Sequence, residues 1–200
     1  MILYRYHRQI ENFLQKEACV RSRMRILDAG CGSGLVTKKL HGMAEEKHCT
    51  DMTFHGFDLT PAMLARFQTW IVNNNLQNTI EVTRANVLDL QELPQDWRDY
   101  DLVVSASMLE YIPKDQLVLA LRNLAGLLRK DGSLLLFITK KNFVTQWLVG
   151  KWWKANLFEE GTIDTLLRQA GFRTIARKLF SAPYRYANYS TIALEGRFST

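Results

Sequence analysis

The residues with the greatest capacity for chemistry lie in the run Ile26-Leu27-Asp28-Ala29-Gly30-Cys31-Gly32-Ser33-Gly34. Glycines at alternate positions make a turn in which the backbone approaches a ligand closely and presents free amides to it. Asp28, just ahead of the first glycine, sets this turn apart from a phosphate cradle, because a carboxylate repels phosphate and suits a cationic or amino-bearing ligand. The dinucleotide fingerprint also needs its third glycine where Leu35 stands, which argues against a nicotinamide dehydrogenase. A second acid, Asp58, ends an apolar stretch 24 residues after Gly34. There a carboxylate can accept hydrogen bonds from both hydroxyls of a ribose. Leu59 and Met63 follow at positions from which apolar side chains can cover a purine face.

Candidates for proton transfer are sparse. Among the four histidines, His55 falls inside an apolar strand pattern, and His41 and His48 flank a helix. His7 in the N-terminal arm is the remaining candidate base, for an acceptor that must lose a proton. Tyr4, Tyr6 and Tyr111 are candidates for orienting a substrate. Cys31 fits a backbone role at a small-residue position better than a nucleophile's. No acid, histidine or cysteine cluster has metal-ligand spacing, so no metal site is expected.

Periodicity supplies the elements that must position these residues. Apolar runs at 25–29, 54–57, 79–84, 102–105 and 134–138 read as strands, and 162–170 reads as a helix with Gly171 as its cap. Further helices are expected at 35–43, from the Thr60-Pro61 start to about Asn73, and over 114–129. In the last of these, Leu117, Leu121, Leu124 and Leu128 form one stripe. Two final strands are expected at 174–179 and 189–194. The alternation of strands and helices predicts an α/β, doubly wound, mostly parallel sheet with helices on both faces. Ligands of such sheets bind beyond the carboxyl ends of the strands, where the glycine turn and Asp58 fall.

Composition narrows the class. Over 200 residues, 47% are apolar and 23% charged, which excludes a disordered chain and fits one domain over 1–200. No apolar run approaches the roughly 20 residues of a membrane span. Three scattered cysteines and no signal-like leader fit the cytoplasm. The net charge of +6 is concentrated. Residues 1–25 carry six Arg and Lys against two Glu, and residues 139–156 carry four Lys and no acid. Trp147, Trp152 and Trp153 sit within that second stretch, so 140–160 reads as a Trp/Lys lid. Such a segment suits an apolar or lipid-like substrate, peripheral contact with a membrane surface, or stacked bases of a nucleic acid.

Residues 27–34 resemble the first motif of the class I S-adenosylmethionine-dependent methyltransferases. The resemblance continues through Gly56-Phe57-Asp58-Leu59-Thr60-Pro61-Ala62-Met63-Leu64 and Asn86-Val87-Leu88-Asp89-Leu90. It then takes in residues 100–105, Met108-Leu109-Glu110-Tyr111-Ile112-Pro113 and the turn 127–134. It implies a seven-stranded Rossmann-like sheet with the last strand antiparallel, and S-adenosylmethionine as cofactor, with S-adenosylhomocysteine as product. By position it implies that Gly30, Cys31, Gly32 and Gly34 pass beneath the methionine and ribose, with Asp28 at the head of the turn. Asp58 would hold the ribose, Asn86 the adenine amino group in place of the family's usual acid, and Val87 the purine ring through its amide. Ser105 would lie near the reacting methyl. The 1–24 arm and the 140–160 insertion would select the acceptor.

Tyr111 replaces a histidine common in small-molecule members. Ser105-Ala106-Ser107-Met108 stands where nucleobase-amino methylases carry Asn/Asp-Pro-Pro-aromatic. The expectation is therefore metal-free direct methyl transfer to a small, partly apolar acceptor. An RNA methyltransferase and a non-catalytic cofactor-binding interaction protein are the alternatives.

Overall fold

The computed structural model describes residues 2–17, 20–142 and 156–198. Seven strands form one sheet among them: β1 Arg25–Ala29, β2 Thr53–Asp58, β3 Ile80–Arg84, β4 Tyr100–Ala106, β5 Leu128–Thr139, β6 Phe172–Lys178 and β7 Thr191–Phe198. Their order is β3-β2-β1-β4-β5-β7-β6. The pairs from β3 to β5 are parallel, and β7 runs antiparallel to both β5 and β6. The α-helices among the described residues are α1 Ile2–Glu17, α2 Leu35–Glu46, α3 Pro61–Asn73, α4 Leu117–Gly126 and α5 Glu160–Gln169. The order reverses direction between β1 and β4, the switch point at which such sheets bind ligands.

The central strands read as unbroken apolar runs because both of their faces are covered. Leu27, Val103, Leu134, Leu136 and Ile138 point into a core shared with Leu117, Leu121 and Leu124 of α4 and Ile163 and Leu167 of α5. Their neighbours Ile26, Leu102, Val104, Leu135 and Phe137 face the opposite core, built with Ile10, Phe13 and Leu14 of α1, Leu40 of α2 and Phe67 and Ile71 of α3. Phe13 meets Phe137 edge-on at 5.0 Å and Phe180 at 5.0 Å, which anchors α1 on β5.

Ile10, Phe13 and Leu14 fall at helical spacing and are buried, so most of the N-terminal arm is the helix α1. Two expectations are corrected. The long helix over 114–129 is shorter. Residues Lys114–Gln116 form a 3-10 turn, α4 stops at Gly126, and β5 already begins at Leu128. The Lys130-Asp131-Gly132 turn is thus a bulge within β5, where the register slips between the Tyr100–Leu128 and Leu102–Ser133 pairs. Asp131 takes φ 65° there. The last strand starts at Thr191 because Arg185–Tyr189 is occupied by a 3-10 turn. No helix among the described residues is long and apolar enough to cross a membrane.

Candidate active site

The turn between β1 and α2 is held open from below. The N–H groups of Gly30 and Cys31 both donate to the Phe57 carbonyl of β2, at 2.8 and 2.9 Å, and Gly34 N–H closes the turn on the Cys31 carbonyl at 2.8 Å. Gly30, Gly32 and Gly34 all take positive φ (75°, 53° and 85°), the region that favours glycine. Their reasons differ. A Cβ on Gly30 would fall 2.5 Å from Met108 Cβ, and one on Gly34 would fall 2.3 Å from the Phe67 ring. A Cβ on Gly32 would meet nothing within 4 Å. Two of these glycines serve packing, and Gly32 leaves its backbone bare toward a cleft.

That cleft, about 380 Å³, opens at the carboxyl ends of β1, β2 and β4. Gly30, Gly32, Phe57 and Asp58 form its floor; Leu59, Thr60 and Met63 form one wall, and Ala85 and Val87 the back. The far wall is Ala106, Ser107, Met108, Tyr111 and Ile112. Asp58 is the one charged side chain among the described lining residues. Its Oδ2 accepts from Gly32 N–H at 2.9 Å and its Oδ1 from Thr60 N–H at 2.8 Å. One carboxylate thus ties the glycine turn to the start of α3, and each oxygen has capacity for a further hydrogen bond. Leu59 (49% exposed), Met63 (40%) and Tyr111 (60%) present large uncovered apolar surface around it.

Asp28 lies behind the turn rather than on the cleft wall. It is 2% exposed, and its Oδ2 accepts from Thr37 N–H at 3.1 Å and Thr37 Oγ1 at 2.8 Å. Burial pushes its carboxyl up to about 6, against the two Thr37 bonds. Cys31 is also buried, under the turn against Gly56. Burial pushes its thiol well above the ordinary range, so its surroundings do not activate it as a nucleophile.

Val87 lines the cleft, and its carbonyl accepts from Asn123 Nδ2 of α4 at 2.8 Å. Asn86 sits beside it, outside the wall, with Oδ1 accepting from Leu88 N–H at 3.0 Å. Its side-chain carbonyl therefore shapes a turn. Ser105 is 1% exposed and sits one residue below the lining pair Ala106 and Ser107. Its Oγ is the one buried side-chain polar atom without a hydrogen-bond partner among the described residues. Tyr4, Tyr6 and His7 fall in the first two turns of α1. Trp147, Trp152 and Trp153 lie outside the described residues.

Both ends of the predicted lid region are tied down beside the far wall. Lys141 N–H donates to the Phe158 carbonyl at 2.8 Å. Asn156 donates through its backbone N–H to the Glu110 carbonyl at 2.7 Å and through Nδ2 to the Ile112 carbonyl at 2.8 Å. Sequence reasoning missed Ser107, Met108, Ile112 and the buried Glu110, although all four belong to or adjoin the quoted motif after β4. Apolar and small residues in a loop carry no chemical signal until the fold turns them toward a ligand. Among the described residues, no three His, Cys, Asp or Glu side chains gather as a metal site.

Comparison with known proteins agrees with this geometry. The sequence pattern of the methyltransferase-domain family matches residues 26–132, which span the glycine turn, Asp58 and the far wall. A carboxy-S-adenosyl-L-methionine synthase of Psychrobacter arcticus is 28% identical over 146 residues, covering 70% of this chain and 53% of the relative. A ubiquinone biosynthesis O-methyltransferase of Coxiella burnetii is 26% identical over 141 residues, covering 70% and 54%. The chain thus spans about half the length of these curated relatives. The solved magnesium protoporphyrin IX methyltransferase of Synechocystis, with bound S-adenosylmethionine, superposes with a TM-score of 0.69 at 19% identity, over 99% of this chain and 82% of that one. With its turn, its acid after β2 and its sheet order all in place, the chain belongs to the class I S-adenosylmethionine-dependent methyltransferases.

Proposed function

We propose that this protein transfers the methyl group of S-adenosylmethionine to a small, partly apolar acceptor by direct displacement, without a metal. The observation that carries the reading is the charge pattern of the cleft. Among the described lining residues Asp58 is the one charged side chain, at one end, and the rest is mainly apolar surface and backbone with the neutral hydroxyls of Thr60, Ser107 and Tyr111. A pyrophosphate would face that carboxylate with no cation among the described lining residues to offset it. A cationic sulfonium nucleoside meets no such penalty.

In this reading the free lone pairs of Asp58 accept the two ribose hydroxyls, in hydrogen bonds to a charged group that are stronger than neutral ones. Leu59 and Met63 cover one face of the purine against Val87 and Ala85. The backbone at Gly32 and Gly30 underlies the ribose and methionine portion, where a side chain on Gly32 would intrude. Bound there, the cofactor supplies an electrophilic methyl on a sulfonium that is its own leaving group. The protein's part is then to align an acceptor atom about 3 Å from that carbon and to keep water away. Met108, Tyr111 and Ile112 offer an apolar wall for that acceptor, and Tyr111 brings a phenol for one polar contact. Asn156, near the end of the 140–160 region, is bonded to the same wall through Ile112.

Incubation with methyl-labelled S-adenosylmethionine and a panel of catechols, carboxylic acids, amines, phospholipid vesicles and total RNA tests the proposal. Label in a small phenolic or carboxylic acceptor is expected. Label in RNA alone would replace the acceptor class. Cofactor binding with no transfer to any member would favour the non-catalytic reading.

A further inference from the structure

We propose that Ser107 and Glu110 form a charge-reading end of the cleft. In it the buried Glu110 carboxylate, acting through the Ser107 hydroxyl, favours a ligand that carries a sulfonium over its neutral demethylated product. The inference rests on the S-adenosylmethionine reading of the cleft and deepens it.

Ser107 leaves β4 with φ 60°, a conformation that residues with a Cβ seldom adopt. Its N–H donates to the Phe137 carbonyl of β5 at 2.9 Å, and it lines the cleft. Behind it, Glu110 is 3% exposed. Glu110 Oε1 accepts from Thr139 N–H at 2.6 Å, at the carboxyl end of β5. The hydroxyls of Ser107 and Thr139 are the other bonded groups at this carboxylate. Every one of these partners is a neutral donor, and no ion pair with Glu110 occurs among the described residues. Among the described residues the carboxylate is therefore oriented by neutral donors alone. In a site shielded from water its field reaches further than it would at the surface.

Burial and the Glu110 charge together push the Tyr111 phenol up, and Tyr111 lines the cleft. Burial likewise raises the Glu110 carboxyl, and the bonds from Thr139 and Ser107 oppose that shift by favouring the charged form. The other two carboxylates of the region are engaged elsewhere. Asp58 binds Gly32 and Thr60 at the opposite end, and Asp28 binds Thr37 behind the turn. Glu110 is thus the acid placed to act on a positive charge at the far wall. It is a positioning residue, and Ser107 is the group that faces the ligand.

If the Glu110 side chain were purely structural, holding the turn to Thr139, its loss would weaken all ligands alike. The ratio of affinities separates the two roles. Calorimetric titration of wild type, Glu110→Gln and Ser107→Ala with S-adenosylmethionine, S-adenosylhomocysteine and the amine-bearing analogue sinefungin reads it directly. Glu110→Gln is expected to lower the affinity ratio of S-adenosylmethionine to S-adenosylhomocysteine about tenfold, with sinefungin following the charged cofactor. Ser107→Ala is expected to lower it about threefold, and it decides the matter if Glu110→Gln does not fold. Equal weakening of all three ligands, or an unchanged ratio in both variants, would overturn the proposal. Wild type that binds none of the three would instead remove the cofactor reading on which it stands.

Discussion

Two cavities of comparable size open at opposite ends of the strands. The cleft at the carboxyl ends measures about 380 Å³, and the other, near the starts of β4 and β5, about 310 Å³. The second is much the more highly charged. Arg21, Arg129, Lys178 and Arg197 line it with Glu17, Asp101, Asp131 and Glu195. All of these charges but Asp131 are paired with one another. Asp101 takes Arg129 at 2.8 Å, Arg21 at 3.3 Å and the Arg25 N–H at 2.8 Å. Lys178 takes Glu17 at 3.1 Å and Glu195 at 3.2 Å, and Arg197 takes Glu195 at 3.3 Å. A ligand entering there would have to break pairs already made. Among the described residues the cleft carries one lining charge with lone pairs left over, large exposed apolar side chains, and backbone left bare at a glycine. Unused bonding capacity, more than charge density, marks a binding site.

The comparison breaks most severely at the glycines beneath the cleft. Gly34→Ala places a methyl against the Phe67 ring at a backbone φ of 85°, and should cost about 3 kcal/mol or more in urea unfolding. Gly32→Ala adds only the conformational cost, about 1 kcal/mol, and should weaken cofactor binding far more than folding. Equal stability losses in the two variants would refute the division into packing and cleft glycines.

The acid behind the turn gives a test by pH. Asp28 is held protonated up to about pH 6, so the folded chain binds more protons than the unfolded one between roughly pH 4 and 6, and stability falls as pH rises through that window. His55, 6% exposed, stacked on Trp97 and bonded to the Tyr100 hydroxyl at 2.7 Å, is lowered to about 4, with the opposite sign. Its contribution grows as pH rises from 4 to 6.5, and offsets much of the Asp28 slope. Asp28→Asn should therefore gain about 3 kcal/mol relative to wild type between pH 4 and 6. Parallel stability curves for the two proteins would show that Asp28 titrates normally.

The smallest effect belongs to the charged cavity. Arg129→Ala removes one partly exposed partner of Asp101 and should cost at most about 1 kcal/mol, with cofactor affinity unchanged within about twofold. A large loss of affinity would show that the two ends of the sheet are coupled.

Much of this was legible in the sequence because strand, turn and helix chemistry coincide at the same residues. Gly30, Gly32 and Gly34 need positive φ, Asp58 ends a strand, and Pro61 opens a helix, so the β1–α2 and β2–α3 units declare themselves locally. The roles within the site were less legible. Asp28 and Asp58 look alike as acids at strand ends, and only burial sends one behind the turn to Thr37 and leaves the other in the cleft. Glu110 was invisible because nothing in Met108-Leu109-Glu110-Tyr111 says which side chain faces inward on a 3-10 turn. The bulge at 130–132 was hidden because Lys-Asp-Gly is also a good chain reversal.

Calorimetric titration of wild type and Asp58→Ala with S-adenosylmethionine and S-adenosylhomocysteine tests the central claim most directly. The account predicts submicromolar to micromolar binding in wild type, and a loss of about a hundredfold in Asp58→Ala as bonds from both ribose hydroxyls to a charged acceptor vanish. Full affinity in the variant, or no binding to wild type at millimolar ligand, would contradict it.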